Sequence, residues 1–549
     1  MNPDPASPRN LIVVSEWLTH CTTQRKGHER CPKWELINSK LPTRVISVAS
    51  PNGLPRLYIP EKEEVGRYAA LSYCWGGPQP HRTTMANLSE YTRGLPMQQL
   101  PATILDAIAL TRSLLIPYLW VDSLCIIQDL EEDKIREIAT MAQVYKNSWV
   151  TFSAARASAC NEGILGIQED TAARLSKSST IPVTCPNDSL GSAMLYPARF
   201  QMAPKWYSRE GKVPVNNRAW TYQETLLAPR VVSYYHDAIE FKCLAGLHSN
   251  DGLKAEELEQ FKPADQRQAK LDSVFFLDSK DGLSAAEFPN LEVLWSRVVA
   301  EYSFGRLSYP DDKLPAVSAI ASEFQRLSGD TYLAGLWRRS LVRELQWQKW
   351  PWRIGTTEST TAPRRAYRIP TWSWASIDGI ISNEASQHLI SDRVEVLDYR
   401  VNPISEQAPF GHVDGGYVAI RGPVKCVGLK DAWDNFGLGQ EHQRPYESRK
   451  IGSFSADFRW DIPADVEDFR RYLGIPPDRG PLWLLGLSMR PRDSYETCGL
   501  ILLETSDNRY ERAGLFYIGS EYYGGKHSDV RRFADHWGDD YEVRAVTIC

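Results

Sequence analysis

The chain has 549 residues, more than the roughly 250–300 at which one hydrophobic core stops growing, so we expect several domains. Its formal net charge is −5 and it contains no Lys/Arg block, which argues against nucleic acids and anionic membranes as partners. With 42 % hydrophobic and 24 % charged residues, the composition is that of an ordinary globular protein.

The cysteine pattern and the apolar segments indicate a cytoplasmic protein. The ten cysteines are scattered and form no CxxC pairs, which is typical of reduced, mostly buried thiols. The N-terminal segment MNPDPASPRNLIVV lacks the charged and apolar regions of a signal peptide. The most apolar stretch, residues 101–130, is interrupted by Asp106, Arg112 and Asp122, so we expect no membrane span.

Composition divides the chain into four predicted regions. Residues 1–60 are rich in proline and predict an N-terminal arm. Residues 61–245 predict an α/β domain, and residues 246–365 a polar linker followed by helical patterns at 291–304 and 313–346. Residues 366–549 predict a strand-rich C-terminal domain, in which residues 506–508 are the turn of a hairpin.

The α/β domain begins with a regular alternation of strands and helices. Predicted strands at 68–73, 118–122 and 149–153 are separated by predicted helices at 103–115 and 131–148. Crossovers of this length make strands parallel, and ligands of parallel sheets bind outside the carboxyl ends of the strands. A long irregular insertion, residues 156–217, precedes a helix that starts in RAWTYQE.

Glu224 in that helix has two interpretations. Thr221 and Glu224 have the spacing of a capping box, which contributes about 0.5–2 kcal/mol to helix stability and needs no chemistry. The alternative is a carboxylate that lines a cleft. From spacing alone the cap is the simpler interpretation.

Residues at the predicted strand ends also have two interpretations each. Asp122 is either a polar contact for a ligand or a cap for the turn that begins at Ser123. The glycine turn at Gly76 and Gly77 either holds a phosphate through its backbone amides or is a tight turn without a ligand, the simpler reading. Trp75 offers an aromatic surface for stacking.

The N-terminal arm contains metal-binding residue types within twelve positions. They are His20, Cys21, His28 and Cys31. Zinc needs four ligands, typically from paired CxxC or HxxxH units, and this spacing fits such units poorly. We therefore predict no metal site.

Several long blocks resemble the fungal heterokaryon-incompatibility (HET) domain. The blocks are YAALSYCWGG, LPATILDAIALTRSLLIPYLWVDSLCIIQD, MAQVYKNSWVTFSAA and NNRAWTYQETLLAPRVVSY, in that order. They cover about residues 68–235, and the weaker matches YLAGLW and PTWSWAS extend to residue 376.

The resemblance implies a fold and an activity. The HET domain is regarded as a distant relative of the TIR domain, a flavodoxin-like parallel α/β fold. Some TIR domains cleave NAD⁺ at the nicotinamide–ribose bond with a glutamate in a W-x-x-x-E segment, which Trp220 and Glu224 match. The segment between residues 153 and 219 is longer than its counterpart in TIR domains.

The resemblance also implies functional residues and a biological role. It implies that Glu224 is catalytic and that substrate is bound by Asp122, Tyr73, Trp75, Gly76 and Trp220. NAD⁺ would be the substrate, and no cofactor is expected. The implied role is in fungal non-self recognition and programmed cell death, with protein partners and self-assembly. The alternatives are a non-enzymatic assembly module and an enzyme that acts on an unrelated small molecule.

Overall fold

The computed structural model describes most of the chain. The described residues are 4–23, 26–29, 31–32, 39–49, 53–79, 81–166, 179–184, 190–195, 213–236, 238–250, 275, 288–349, 369–383, 389–391, 393–427, 447–451, 454–460, 482–489, 497–505, 509–518 and 541–549. Most of the predicted polar linker and much of the predicted insertion lie outside these ranges.

The chain forms two compact units. The first consists of Met1–Gly282, Gly305–Ser308 and Ala316–Glu323. The second consists of Leu283–Phe304, Tyr309–Pro315 and Phe324–Cys549. None of the described helices is long and apolar enough to cross a membrane.

The first unit is built around an eight-stranded mixed sheet. The strands of this unit are β1 (Ser39–Lys40), β2 (Val45–Ser47), β3 (Arg56–Tyr58), β4 (Val65–Gly66), β5 (Tyr68–Ser72), β6 (Tyr118–Trp120), β7 (Val150–Ser153), β8 (Ser179–Thr184), β9 (Leu190–Leu195), β10 (Arg230–Tyr234), β11 (Ile239–Cys243) and β12 (Gly246–Ser249). The main sheet has the order β12-β11-β10-β7-β5-β6-β2-β3, while β1 pairs with β4 and β8 with β9.

Among the residues that the structure describes, helices and a 3-10 turn accompany this sheet. They are α1 (Pro8–Thr22), α2 (Leu88–Arg93), α3 (Ala102–Ser113), α4 (Asp122–Cys125), α5 (Glu131–Lys146), the 3-10 turn Pro214–Asn217, and α6 (Ala219–Leu226). The predicted β-α-β-α-β order of residues 68–153 is confirmed.

The centre of the sheet is parallel, as the sequence predicts. Strand β5 pairs in parallel with both β6 and β7, and β7 pairs in parallel with β10. Every residue of β5 and β7 is buried, which explains why both read as continuous apolar or small-residue runs.

The flanks of the sheet depart from an all-parallel prediction. Strands β2 and β3 lie in the segment predicted as an arm, yet they extend the sheet by antiparallel pairing beyond β6. Strands β11 and β12 extend the opposite side, also by antiparallel pairing. The predicted irregular insertion contains the antiparallel hairpin of β8 and β9.

The second unit combines a helical segment with a β-rich region. Its helices are α7 (Phe288–Ser303), the 3-10 turn Pro310–Lys313, α8 (Pro315–Ser328), of which residues 316–323 belong to the first unit, α9 (Leu341–Glu344) and the 3-10 turn Trp374–Ser376. Its strands are β13 (Tyr332–Leu333), β14 (Leu336–Trp337), β15 (Gln348–Lys349), β16 (Ile381–Ser382), β17 (Leu389–Ile390), β18 (Glu395–Pro403), β19 (Val413–Val427), β20 (Glu447–Ile451), β21 (Phe454–Trp460), β22 (Leu482–Met489), β23 (Thr497–Glu504), β24 (Arg509–Ile518) and β25 (Glu542–Ile548).

The strand-rich prediction for the C-terminal region is confirmed. Strands β17–β25 form one nine-stranded sheet, antiparallel except for the β24–β25 pair. Strands β23 and β24 pair antiparallel, as expected for the two arms of a hairpin, while its predicted turn residues 506–508 lie outside the described residues.

The helical prediction for residues 313–346 is wrong over its second half. Helix α8 ends at Ser328 because Gly329 adopts a left-handed conformation, with φ 61°, and its N–H donates to the carbonyl of Gln325. Two short paired strands, β13 and β14, follow before α9.

Candidate functional site

The candidate residues of the first unit gather at the carboxyl edge of the parallel strands. Strand β5 ends at Ser72 and is followed by Tyr73 and Trp75. Strand β6 ends at Trp120, and helix α4 begins two residues later with Asp122. Because β5 and β6 are parallel neighbours, their ends lie side by side.

Asp122 is held by groups from both strand ends. One carboxylate oxygen accepts a hydrogen bond from the indole Nε1 of Trp75 at 2.9 Å. The other accepts from the backbone N–H of Ser123 at 2.6 Å, so Asp122 does cap the turn that it starts. The Tyr73 hydroxyl donates to Ser123 Oγ at 2.8 Å and ties the two strand ends together.

The charge of Asp122 is only partly compensated. Burial raises its pKa, while the guanidinium of Arg218 and the hydrogen bond from Trp75 oppose that rise. Asp122 itself is half-buried, and its neighbours hold both of its carboxylate oxygens.

The predicted capping box is wrong. The N-cap of α6 is Arg218, and Thr221 lies inside the helix. Its hydroxyl donates to the carbonyls of Val215, at 2.5 Å, and Arg218, at 2.8 Å, rather than accepting from an amide. The helix starts earlier than predicted because the 3-10 turn Pro214–Asn217 leads directly into it.

Glu224 therefore lies in the middle of α6 and points into the fold. Helix α6 packs against β5, β7 and α5, and Glu224 is only 5 % exposed. Burial raises its pKa from the ordinary value of 4.5 to about 7, and the negative charge of Asp122 acts in the same direction. Arg218 and the hydroxyls of Ser72 and Tyr145 oppose this rise in the pKa.

Arg218 is a residue of this site that the sequence analysis missed. Its guanidinium donates to the carbonyl of Tyr73, and its positive charge lowers the pKa of both Asp122 and Glu224. Its position two residues before Trp220 gives no sequence signal by which it could have been found. Ser72 and Tyr145 were missed as well, since only the packing of α6 brings them to Glu224.

Trp220 and Gly76 occupy different parts of the site. Trp220 lies in the first turn of α6, is half-buried, and precedes Glu224 by one helical turn. Gly76 is exposed with φ 74°, and a Cβ there would lie 2.2 Å from the Cβ of Ala159. The close approach of Ala159 accounts for a glycine at position 76 without a ligand.

Two cysteines near this edge lack the properties of a nucleophile. Cys74 and Cys125 are buried, and burial raises the pKa of their thiols to about 11 and about 12, respectively. A thiolate is the nucleophilic form of cysteine, so neither side chain is a good nucleophile at neutral pH.

Comparison with known proteins identifies the segment that carries this site. No curated protein and no solved structure was found to match the chain. The family model described as heterokaryon incompatibility protein (HET) matches residues 68–224, which include β5, β6, β7 and all six predicted site residues. The chain therefore carries a HET domain over residues 68–224, which implies involvement in heterokaryon incompatibility.

Proposed function

We propose that the HET domain hydrolyses NAD⁺ at the nicotinamide–ribose bond, with Glu224 as the catalytic residue. The observation that supports this most is the juxtaposition of Glu224 with Asp122 and Arg218 at the carboxyl edge of a parallel sheet. Ligands of such sheets bind at this edge.

The strand order supports a TIR-like, flavodoxin-like reading of the domain. Numbered along the chain, the four parallel strands β5, β6, β7 and β10 lie in the order 2-1-3-4. The flavodoxin-like order begins in the same way and binds its ligand where strands 1 and 3 meet. Here those strands are β5 and β7, the two strands that α6 contacts.

The chemistry needs one negative charge near the ribose. The ribose–nicotinamide C–N bond breaks through an oxocarbenium-like state, and neutral nicotinamide leaves with the bonding electrons, so no general acid is needed. Water then adds to the ribosyl carbon and loses a proton to solvent. The Glu224 carboxylate would stabilise the developing positive charge. With a pKa of about 7, Glu224 gains this charge as the pH rises through neutrality, so we expect activity to rise over the same range.

Access to Glu224 is part of the proposal. Since Glu224 is 5 % exposed, NAD⁺ would reach its carboxylate only after surrounding side chains move, and we propose that the half-buried Trp75 and Trp220 do so. Both indoles would then stack on the nicotinamide or adenine ring. Asp122 would contact the ribose hydroxyls.

The burial of Glu224 also favours a second candidate function. A non-enzymatic assembly module needs no route to this carboxylate, and Glu224 would then serve only to pack α6 against β5 and α5. Under either function the domain would act in fungal non-self recognition and programmed cell death, through protein partners and in the cytoplasm.

Nicotinamide release separates the two candidates. Purified full-length protein is incubated with NAD⁺ over a series of protein concentrations, because activity that depends on self-assembly appears only at the higher ones. Catalytic release of nicotinamide is the expected result. Intact NAD⁺ at every concentration, including that at which the protein self-associates, would support the assembly module.

A further inference from the structure

Four buried metal-binding side chains converge in the first unit, outside the HET segment. They are Cys21, His28, Cys31 and Cys243, and their candidate ligand atoms all lie within 4.8 Å of one another. Cys21 comes from the last turn of α1, His28 and Cys31 from the following loop, and Cys243 from the end of β11.

The distances between the candidate ligand atoms fit tetrahedral zinc. The Nδ1 atom of His28 lies 3.6 Å from the sulfur of Cys31 and 3.5 Å from the sulfur of Cys243. In a tetrahedral site with Zn–S near 2.3 Å and Zn–N near 2.0–2.1 Å, nitrogen and sulfur are about 3.5 Å apart. Three sulfurs and one imidazole nitrogen make a closed structural site.

A backbone turn positions the side chains of the two loop ligands, His28 and Cys31. The N–H of Cys31 donates to the carbonyl of His28 at 3.0 Å, which closes a tight turn and brings both side chains to the same side. Gly27, just before this turn, has φ 92°, a conformation that L side chains rarely adopt.

A fully buried arginine, Arg230, lies beside the cluster. Arg230 is fully buried, pairs with Cys243 across β10 and β11, and has Nη1 3.9 Å from the sulfur of Cys21. Its other hydrogen bonds go to the carbonyls of Trp149 and Pro32. Within the described residues, its Nη2 has no hydrogen-bond partner.

A bound zinc centre would place a negative charge beside Arg230. A buried guanidinium is costly without a compensating anion. Zinc with three thiolates and a neutral imidazole carries a net charge of −1, which would balance Arg230.

The surroundings of the cluster are aromatic. The His28 ring stacks on His248 with centroids 5.8 Å apart, and the rings of Trp17, Phe241 and His248 pack against one another with centroids 6.0–6.5 Å apart. Such an aromatic shell limits access of water and suits a structural metal rather than a catalytic one.

We propose that Cys21, His28, Cys31 and Cys243 bind one structural zinc ion that fastens α1 and its following loop to strand β11. The three thiols lose their protons to solvent on binding, and the imidazole binds as the neutral base. The site is independent of the proposed NAD⁺ chemistry.

The metal content of full-length protein without a histidine tag tests this proposal. Protein produced in zinc-containing medium is expected to hold about one zinc per chain. Replacement of zinc by Co²⁺ is expected to give the visible bands of tetrahedral cobalt together with thiolate-to-cobalt charge transfer. Cys31→Ser and Cys243→Ser are expected to lose nearly all bound zinc, whereas Cys125→Ala, a buried cysteine outside the cluster, retains it.

Three results would overturn the zinc proposal. Wild-type protein that contains no zinc after incubation with Zn²⁺, or that shows a disulfide between cluster cysteines, would overturn the proposal. So would equal loss of zinc from the Cys125→Ala control. If the two serine variants do not fold, the wild-type zinc content and cobalt spectrum decide alone, since a site without thiolates gives no charge-transfer band.

Discussion

Glu224 carries the main titration expected of the candidate site. Its pKa in the folded protein lies near 7, above the ordinary value of 4.5, because burial disfavours the charged form. A raised pKa means that the folded state binds the proton more tightly than the unfolded state, so the contribution to stability is fully present below 4.5 and is lost as the pH rises through 7.

Glu224→Gln tests this titration because glutamine cannot lose a proton. Relative to the variant, the wild type is expected to lose on the order of 3 kcal/mol of unfolding free energy between pH 4.5 and pH values above 7. Chemical denaturation across this pH range measures the difference. Glu90→Gln, an exposed substitution on α2, is the control, and a constant difference between wild type and Glu224→Gln would contradict the burial argument.

The role of Arg218 in the site could not be predicted from the sequence. An arginine before a helix reads as an ordinary polar residue, and only the folded chain brings its guanidinium to the carbonyl of Tyr73. Glu224, by contrast, could be nominated from the W-x-x-x-E spacing. Its burial could not, because it follows from the way that α6 packs on β5 and β7.

At the scale of single elements, the start of α6 is held by the Thr221 hydroxyl. This hydroxyl is a donor to two carbonyls, and the side chain is 2 % exposed. A donor role and an N-cap role predict opposite responses to aspartate, since aspartate is a good cap but cannot donate a proton at neutral pH.

We therefore expect Thr221→Asp to destabilise the protein more than Thr221→Val does. The valine variant loses the two hydrogen bonds, which costs about 1 kcal/mol. The aspartate variant adds a buried, unpaired charge and is expected to cost about 2 kcal/mol more. Thermal unfolding of both variants provides the comparison, and an aspartate variant as stable as wild type would restore the capping box.

The turn after β5 requires glycine at position 76. Gly76→Ala would place a Cβ 2.2 Å from the Cβ and 2.5 Å from the Cα of Ala159, with φ at 74°. We expect a loss of about 2 kcal/mol or more in unfolding free energy. Gly94→Ala, at an extended glycine with open space around its Cβ position, is the matched control. Equal stability of the two variants would show that the contact with Ala159 does not constrain the conformation of the turn.

Short strands mark the limit of element prediction. Periodicity identified β5, β6 and β7 because each follows or precedes a recognisable helix. Strands β2 and β3 have three residues each and lie in a proline-rich segment, so no periodic pattern distinguishes them from a loop. Strand β2 forms because the edge of β6 offers it hydrogen bonds, and β3 forms by pairing with β2.

Across the whole molecule, features formed by residues close together in sequence could be predicted, and features formed by distant residues could not. Parallel order follows from local crossovers, and the strand-rich C-terminal region follows from local composition. The proposed zinc site could not be predicted because Cys243 joins it from more than 200 residues beyond Cys31. The spacing of the N-terminal candidates His20, Cys21, His28 and Cys31 fits paired zinc-binding units poorly, and His20 is not part of the cluster.

The activity of Glu224→Gln distinguishes a catalytic carboxylate from one that only packs α6 into the fold. Nicotinamide release from NAD⁺ is compared for wild type, Glu224→Gln and the Thr221→Val control, each verified as folded. We expect Glu224→Gln to fall by on the order of 100-fold, because it removes the charge that stabilises the ribosyl cation, while Thr221→Val stays near the wild-type rate. A folded Glu224→Gln variant that releases nicotinamide at the wild-type rate would contradict the assignment of Glu224 as the catalytic residue.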